Sequence, residues 1–305
     1  MKTEPIFEGF GTRVIATDNS NILELDTGKI INFFKTSGLL HFRGFDVDLE
    51  KFQEFSNLFG TEFLTYAGGG YIRKTINEDG DRTVLSVTYN AGGTQQKTFG
   101  LPIHGEMYYL KNRPTVIWFY CITPASEDGE TTVCDGVQVY KQLREETKEL
   151  FKTKRLRYLR SYANGEWQER YQTNDLSVVE KFCKENDLSL KIDRKTQSIS
   201  TEYIHPAVIK SRWGGQEVFI NNILPVEWQE SSGKKTSIVR LEDGLKIPDE
   251  VILEIKDVTA RLTQLISWQS GDIVMIDNTR ILHGRRAFTD QRRELYTRMC
   301  KSVEW

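Results

Sequence analysis

Residues 271–288 read GDIVMIDNTRILHGRRAF, and this stretch decides the fold. Gly271-Asp272 is a turn signal that opens the apolar run Ile273-Val274-Met275-Ile276. The polar group Asp277-Asn278-Thr279-Arg280 breaks the run, and Ile281-Leu282 leads onto His283-Gly284-Arg285. A short apolar run bounded by turn residues reads as a buried strand, so the segment predicts a strand, a turn and a second strand that carries a histidine. Residues 291–300, QRRELYTRMC, predict a further strand with arginines near the same end.

The partner of this segment lies far upstream, in LPIHGEMYY at residues 101–109. The chain has four histidines, His41, His104, His205 and His283, so a histidine two residues from a glutamate is informative. If residues 101–109 are extended, His104 and Glu106 point to one face, and Gly105 between them leaves room above an ion. Two imidazoles and one carboxylate on one side of a divalent ion leave its other side open, an arrangement suited to Fe(II). The same ligands would also suit Zn(II) with a bound water. His104 and His283 are 179 residues apart, which predicts ligands from opposite ends of a barrel with an insertion between them. His41 and His205 read as ordinary packed or surface residues.

Strand patterns dominate near both motifs and helical patterns dominate the gap. Residues 48–60 predict an amphipathic helix that stops at Gly60. Helices are also expected from 137 to about 152, from 176 to about 185, and from about 249 to 267, the last opened by Pro248-Asp249-Glu250. Residues 154–163 and 199–219 read as strands. Residues 67–70, 77–82 and 90–96 read as loops, the last close to the metal motif. The polar segment 229–235 reads as a solvated loop or lid. The whole pattern is mainly β with helical insertions, a two-sheet jelly roll.

Composition narrows the classes. Net charge is −2, which argues against a dedicated nucleic-acid binder. No run approaches the ~20 apolar residues of a membrane helix, and the first residues, MKTEPIFE, lack an apolar leader core, so a cytoplasmic protein is expected. Cys121, Cys134, Cys183 and Cys300 form no C-x-x-C pair and read as small buried thiols.

The segments LPIHGEMYY, PTVIWFYCITPASEDGETTVCDG, GDIVMIDNTRILHGRRAF and QRRELYTRM, with the earlier GLLHFRGF, resemble the clavaminate-synthase-like, taurine-dioxygenase-like family of Fe(II)- and 2-oxoglutarate-dependent oxygenases. The resemblance covers nearly the whole chain. It implies one oxygenase domain over residues 1–305, built as a double-stranded β-helix (a cupin-like barrel), with a helical or lid insertion at roughly 137–267. It implies that His104, Glu106 and His283 hold Fe(II), with 2-oxoglutarate and O2 as co-substrates. The far carboxylate of 2-oxoglutarate needs a buried cation, and a guanidinium suits it because it stays charged and binds in a fork. Arg292, Arg293 and Arg298 follow His283 at the distance the family implies, with Arg293 favoured and Arg298 next. Strict alternation sets Arg293 and Arg298 on opposite faces unless a bulge realigns them. Thr131 matches the family's carboxylate-binding threonine, with Thr132 as the fallback. Asn278 and Arg285 flank the distal histidine and could orient other groups. Tyr66, Arg73, Tyr89, Asn221 and Arg285 are the expected substrate contacts.

The expected reaction is oxidation of an unactivated C–H bond, by hydroxylation, desaturation or cyclisation, coupled to conversion of 2-oxoglutarate into succinate and carbon dioxide. A small substrate is expected, an amino acid or an amino-acid-derived specialised metabolite. The alternatives are a non-catalytic or zinc-dependent metal-binding barrel, or an oxygenase that acts on a peptide.

Overall fold

The computed structural model describes residues 1–17, 20–66, 83–87 and 100–305. The chain opens with the hairpin β1 (Lys2–Phe7) and β2 (Phe10–Ile15), then α1 (Thr27–Ser37), β3 (Leu39–Arg43) and α2 (Leu49–Asn57). Asp26 and Asp48 cap the two helices by accepting from Lys29 N–H and Lys51 N–H. Next come β4 (Leu85–Ser86), β5 (Leu101–His104), β6 (Val116–Thr123) and β7 (Thr131–Asp135). The stretch that follows holds α3 (Gly136–Gln142), α4 (Glu145–Thr153), β8 (Leu156–Tyr162), α5 (Glu166–Tyr171) and α6 (Leu176–Glu185). It continues through β9 (Ser189–Asp193), β10 (Ser198–His205), β11 (Val208–Lys210), β12 (Glu217–Phe219), α7 (Ile223–Ser231), β13 (Ser237–Leu241) and α8 (Asp249–Leu262). The chain then returns through β14 (Gln264–Ile266), β15 (Ile273–Asp277), β16 (Ile281–Arg285) and β17 (Glu294–Cys300).

Two sheets form the jelly roll. The larger is ordered β1-β2-β3-β15-β6-β17-β4 and the smaller β14-β7-β16-β5. Leu39, Ile117, Phe119, Val274 and Ile276 of the larger sheet pack against Val133, Ile266 and Ile281 of the smaller. On the outer face of the larger sheet, Phe42, Trp118, Ile273 and Met275 pack under α1 and α2 through Phe34, Phe52 and Phe55. Residues 273–276 are therefore apolar without a break because Ile273 and Met275 face the helices while Val274 and Ile276 face the sandwich interior.

Between β7 and β14 the strand segments expected at 154–163 and 199–219 are present as β8 and as β10, β11 and β12. The stretch carries its own four-stranded sheet, ordered β13-β8-β10-β9, besides its helices. The helix expected over 137–152 is split, because buried Leu143 is extended and Glu254 takes both the backbone N–H and the Nε of Arg144. The helix expected to reach 267 stops at Leu262, and residues 264–266 pair with β7 instead. Residues 229–231 belong to α7, and Gln229 is buried, so the predicted polar loop starts three residues too early. The predicted loops at 67–70, 77–82 and 90–96 lie outside the described residues.

The four cysteines are buried and free. Among the described residues no helix is long and apolar enough to cross a membrane. His41 is buried against Asp272 at 2.9 Å, which also holds Arg43. His205 packs between Tyr108 and Tyr203. Both are structural, as their lack of chemical neighbours in sequence suggested.

Strands β5 and β16 run unusually close. A Cβ placed on Gly284 would lie 2.4 Å from the Leu101 carbonyl oxygen and 2.7 Å from Thr132 Oγ1. Both are inside van der Waals contact, and one of them is backbone that cannot rotate away. Gly284→Ala should therefore lower the unfolding free energy by about 1–3 kcal/mol in a urea titration. A wild-type midpoint for this variant would show that the two strands are not held at this spacing.

Candidate active site

His283 on β16 and His104 on β5 are direct cross-strand partners, with ring centroids 4.6 Å apart. The long sequence separation thus ends in neighbouring antiparallel strands, not at opposite ends of a barrel. The reason is topological: the intervening stretch leaves after β7 and returns at β14, which pairs with β7, so β16 closes beside β5.

Glu106 reaches this pair by a different route from the one alternation suggests. Strand β5 ends at His104, and residues 106–109 form a turn in which Met107 has φ 60°. Asn278, fully buried, holds that turn. Its Oδ1 accepts from Glu106 N–H at 2.8 Å, and its Nδ2 donates to the Glu106 carbonyl at 3.1 Å and to the Pro114 carbonyl at 2.7 Å. Gly105 donates to the Asn221 carbonyl at 3.0 Å. A Cβ on Gly105 would lie 2.4 Å from the Tyr108 ring and 2.7 Å from Ile220. The absent side chain therefore makes room for core packing, not for space above an ion.

The result is one buried cluster. His104, Glu106 and His283 each offer a ligand atom, and these atoms lie within 4.8 Å of one another. Glu106 Oε2 is 3.9 Å from His104 Nε2 and 3.5 Å from His283 Nε2. Ligands ~2.1 Å from one divalent ion stand ~3.0–3.4 Å apart, so the set fits an ion with a small contraction. His104 Nδ1 lies 2.9 Å from the Pro102 carbonyl. A carbonyl only accepts, so Nδ1 carries the proton and Nε2 keeps its lone pair for a metal. Phe119 packs 5.6 Å from the His283 ring and covers that side.

A second buried group lies farther along the same strand. Arg285 is two residues past His283, ~6.6 Å along β16, and Thr131 of β7 pairs with it. Arg293 is 2% exposed; its Nε donates to the Gly129 carbonyl at 3.0 Å. Its Nη1 is buried with no hydrogen-bond partner among the described residues. Burial, then the charge of Arg285, lowers the Arg293 pKa to about 9. Both guanidinium groups lie over the Phe288 ring, at 4.8 and 5.1 Å. Trp268 Nε1 donates to Thr131 Oγ1 at 3.1 Å, which occupies an acceptor site and leaves the Thr131 proton free to donate. This set fits the far carboxylate of a short dicarboxylate whose other end reaches the metal cluster.

Other expected residues fall elsewhere. Arg298 faces the opposite side of β17, where it donates to the Gln53 carbonyl, Ser56 Oγ and Asn57 Oδ1 of α2 and lies over Phe63. The register does slip there, but the extra residue is on β6, since Glu294 pairs with Thr123 and Leu295 with Cys121. Alternation along β17 is unbroken, so no bulge brings Arg298 round to Arg293. Arg292 is exposed and paired with Asp290. Arg285, expected at the substrate, stands beside Arg293, and its Nη1 donates to the Val87 carbonyl at 3.0 Å. Asn221 is spent on structure, accepting from Ile223 N–H and donating to the Ala207 carbonyl. Arg73 and Tyr89 lie outside the described residues. Thr132 faces Gly284 across the sheet, with Thr131 in the favourable position.

A small cavity of about 40 Å³ opens beside His104 and Glu106. Tyr66 lines it, its hydroxyl 2.9 Å from that of Tyr109. Arg160, Asn222 and Gln229 complete its polar wall, and none of the three was anticipated from sequence. One signal was present: in β8, Leu156, Tyr158, Arg160 and Tyr162 alternate inward, so an arginine falls in an otherwise apolar and aromatic stripe. Trp268 gave no comparable signal.

The profile of the Taurine catabolism dioxygenase TauD, TfdA family matches residues 2–299. The dapdiamide synthesis protein DdaC of Enterobacter agglomerans is 30% identical over 84% of this chain and 80% of its own length. A clavaminate synthase-like protein of Arabidopsis thaliana is 24% identical over 87% of this chain and 82% of its own. Among solved structures, PvcB of Pseudomonas aeruginosa superposes with a TM-score of 0.63 at 16% identity, over 99% of this chain and 92% of that one, a likeness of fold.

Because Asn278 holds both backbone groups of Glu106, Asn278→Ala should weaken divalent-metal affinity about 10–100-fold, measured by chelator competition. Unchanged affinity would mean that the turn after β5 holds its own shape.

Proposed function

Since the chain belongs to the Taurine catabolism dioxygenase TauD, TfdA family and is an Fe(II)- and 2-oxoglutarate-dependent dioxygenase, we propose that it oxidises an unactivated C–H bond of a small amino-acid-derived metabolite. In this reading His104, Glu106 and His283 hold the iron. Arg293 and Thr131, with Arg285 beside them, receive the far carboxylate of 2-oxoglutarate. Bound iron, with 2-oxoglutarate and O2, supplies oxidative decarboxylation to succinate and carbon dioxide together with the oxidising power for the substrate C–H bond.

The observation that carries the residue assignment is Arg293. A guanidinium this deeply buried, with one nitrogen unpartnered among the described residues, costs free energy unless an anion arrives. The chain's own residues then have separate tasks. His104 keeps its Nε2 lone pair because Pro102 takes the Nδ1 proton. Phe119 shields the His283 side from water. Trp268 fixes the Thr131 hydroxyl as a donor. The substrate cavity lies on the Glu106 side, lined by Tyr66 and Tyr109. A role in specialised metabolism is supported by a relative named for dapdiamide synthesis.

Metal-free protein given Fe(II) and 2-oxoglutarate without oxygen should develop a weak visible charge-transfer band. The band should be missing in His104→Ala, and a variant that keeps it would sink the ligand assignment. Arg293→Ala should raise the 2-oxoglutarate requirement by about one to three decades, or roughly 1.5–4 kcal/mol. Arg298→Ala should leave that requirement unchanged, and the reverse result would reassign the clamp. The pH dependence has a definite sign. Arg293 has its pKa lowered to about 9, so its cation is present at neutral pH and is lost as pH rises through that value. Affinity for 2-oxoglutarate should hold through neutrality and fall above about pH 9; titration calorimetry showing a flat profile there would contradict the assignment.

A further inference from the structure

Two stretches of sequence on which neither the metal ligands nor the dicarboxylate group draws meet around one buried carboxylate. GLLHFRGF supplies β3 with His41 and Arg43, and Gly271-Asp272 leads into β15. Asp272 is 1% exposed. Its Oδ1 accepts from Arg43 Nε at 3.1 Å, and its Oδ2 accepts from Arg43 Nη2 at 2.6 Å and Gln269 N–H at 2.8 Å. His41 Nε2 lies 2.9 Å from the same Oδ2. A carboxylate only accepts, so that nitrogen carries the proton of a neutral ring.

These bonds hold the segment between β14 and β15. β14 ends at Ile266 and β15 begins at Ile273, and Ser267 and Gln269 are exposed, so sheet pairing does not place residues 267–269. Arg43 Nη2 donates to the Ser267 carbonyl at 2.6 Å, while Gln269 N–H goes to Asp272. The peptide groups on both sides of Trp268 are thereby tied to one arginine–carboxylate pair. Trp268 turns inward from this anchor. Its ring lies edge-on to His41 at 6.3 Å, and its Nε1 donates to Thr131 Oγ1 at 3.1 Å. An indole N–H only donates, so the contact has one direction and leaves the Thr131 proton for another acceptor.

Resting on the oxygenase reading above, we propose that Asp272, with Arg43, is a positioning residue for 2-oxoglutarate that acts through Trp268. The two charged groups fix the backbone of residues 267–269, that backbone fixes the indole, and the indole aims the Thr131 hydroxyl at the far carboxylate. Asp272 itself touches neither Thr131 nor the co-substrate in this reading. A role confined to joining β3 to β15 would act on stability alone. A positioning role acts on the recognition of one carboxylate, and the two are separable by measurement.

The test compares 2-oxoglutarate with 2-oxopentanoate, which keeps the keto acid but ends in a methyl group in place of the far carboxylate. Anaerobic protein loaded with Fe(II) is titrated with each, and the charge-transfer band is followed. Wild-type protein should prefer 2-oxoglutarate by at least ~10-fold. Trp268→Phe and Asp272→Asn should each cut that preference ~3–10-fold, with affinity for Fe(II) and 2-oxopentanoate unchanged. The double variant should match Trp268→Phe alone, because the second change acts on a contact already lost. Additive losses in the double variant, or equal losses for both keto acids, overturn the proposal. So does an unchanged preference in either single variant. Wild-type protein with no preference overturns the co-substrate reading and the proposal with it, whereas a preference that Arg293→Ala removes upholds that reading whatever the other variants do. If Asp272→Asn does not fold, Arg43→Lys takes its place, since it breaks the fork to Asp272 and Ser267 and keeps the charge, and the same outcomes decide.

Discussion

Strands β5 and β16 can place His104 beside His283 because position 284 has no side chain. A Cβ there would enter the Leu101 carbonyl oxygen at 2.4 Å, so a larger residue would push the strands apart and the histidines with them. The pairing supplies two of the three candidate ligands from rigid sheet. The third comes from a turn, which sheet pairing does not position. Asn278 performs that task by bonding both backbone groups of Glu106. Asn278 itself sits in the turn between β15 and β16, so the strand that carries His283 and the residue that positions Glu106 belong to one continuous segment, which passes from the larger sheet to the smaller. This explains why a single stretch of sequence was so informative.

The interior is charged in an ordered way. Arg285 and Arg293 stand together over Phe288, Glu106 and the histidines form one buried cluster, and Arg160 of β8 lines the cavity beside that cluster. Burial, and after it the charge of Arg285, lowers the Arg293 pKa, which marks a guanidinium that is unfavourable there without an anion. Phe288, lying over both, softens the repulsion without cancelling it. The family's co-substrate is a dianion, and its far carboxylate has the charge that this pair lacks.

How legible each feature was depended on whether it lay in one strand. The paired faces of residues 273–276 and the opposite facing of Arg293, just before β17, and Arg298 within it follow from alternation, and both were readable. The separation of Arg293 from Arg298 was already implied by their odd spacing. A bulge was the escape, and the register slip fell on β6 instead. Glu106 was identified correctly as a neighbour of His104 but by the wrong geometry, because the strand ends at His104 and Glu106 opens the turn in which Met107 has φ 60°. Arg160 was in plain sight as an inward residue of a recognised strand, yet nothing local marks which face of that strand meets the metal turn.

The order of apolar runs, turn residues and chemistry-bearing side chains determined the jelly-roll class, the metal-ligand types and the arginine beyond the distal histidine. Those properties are local, since strand periodicity and ligand chemistry are set within a few residues. Only the tertiary structure decided that His104 and His283 are cross-strand neighbours, that Asn278 holds Glu106, and that Arg160 and Asn222 reach the same cavity. Each of these joins residues more than fifty positions apart in the chain, where sheet order and close backbone approach, not periodicity, set the contact.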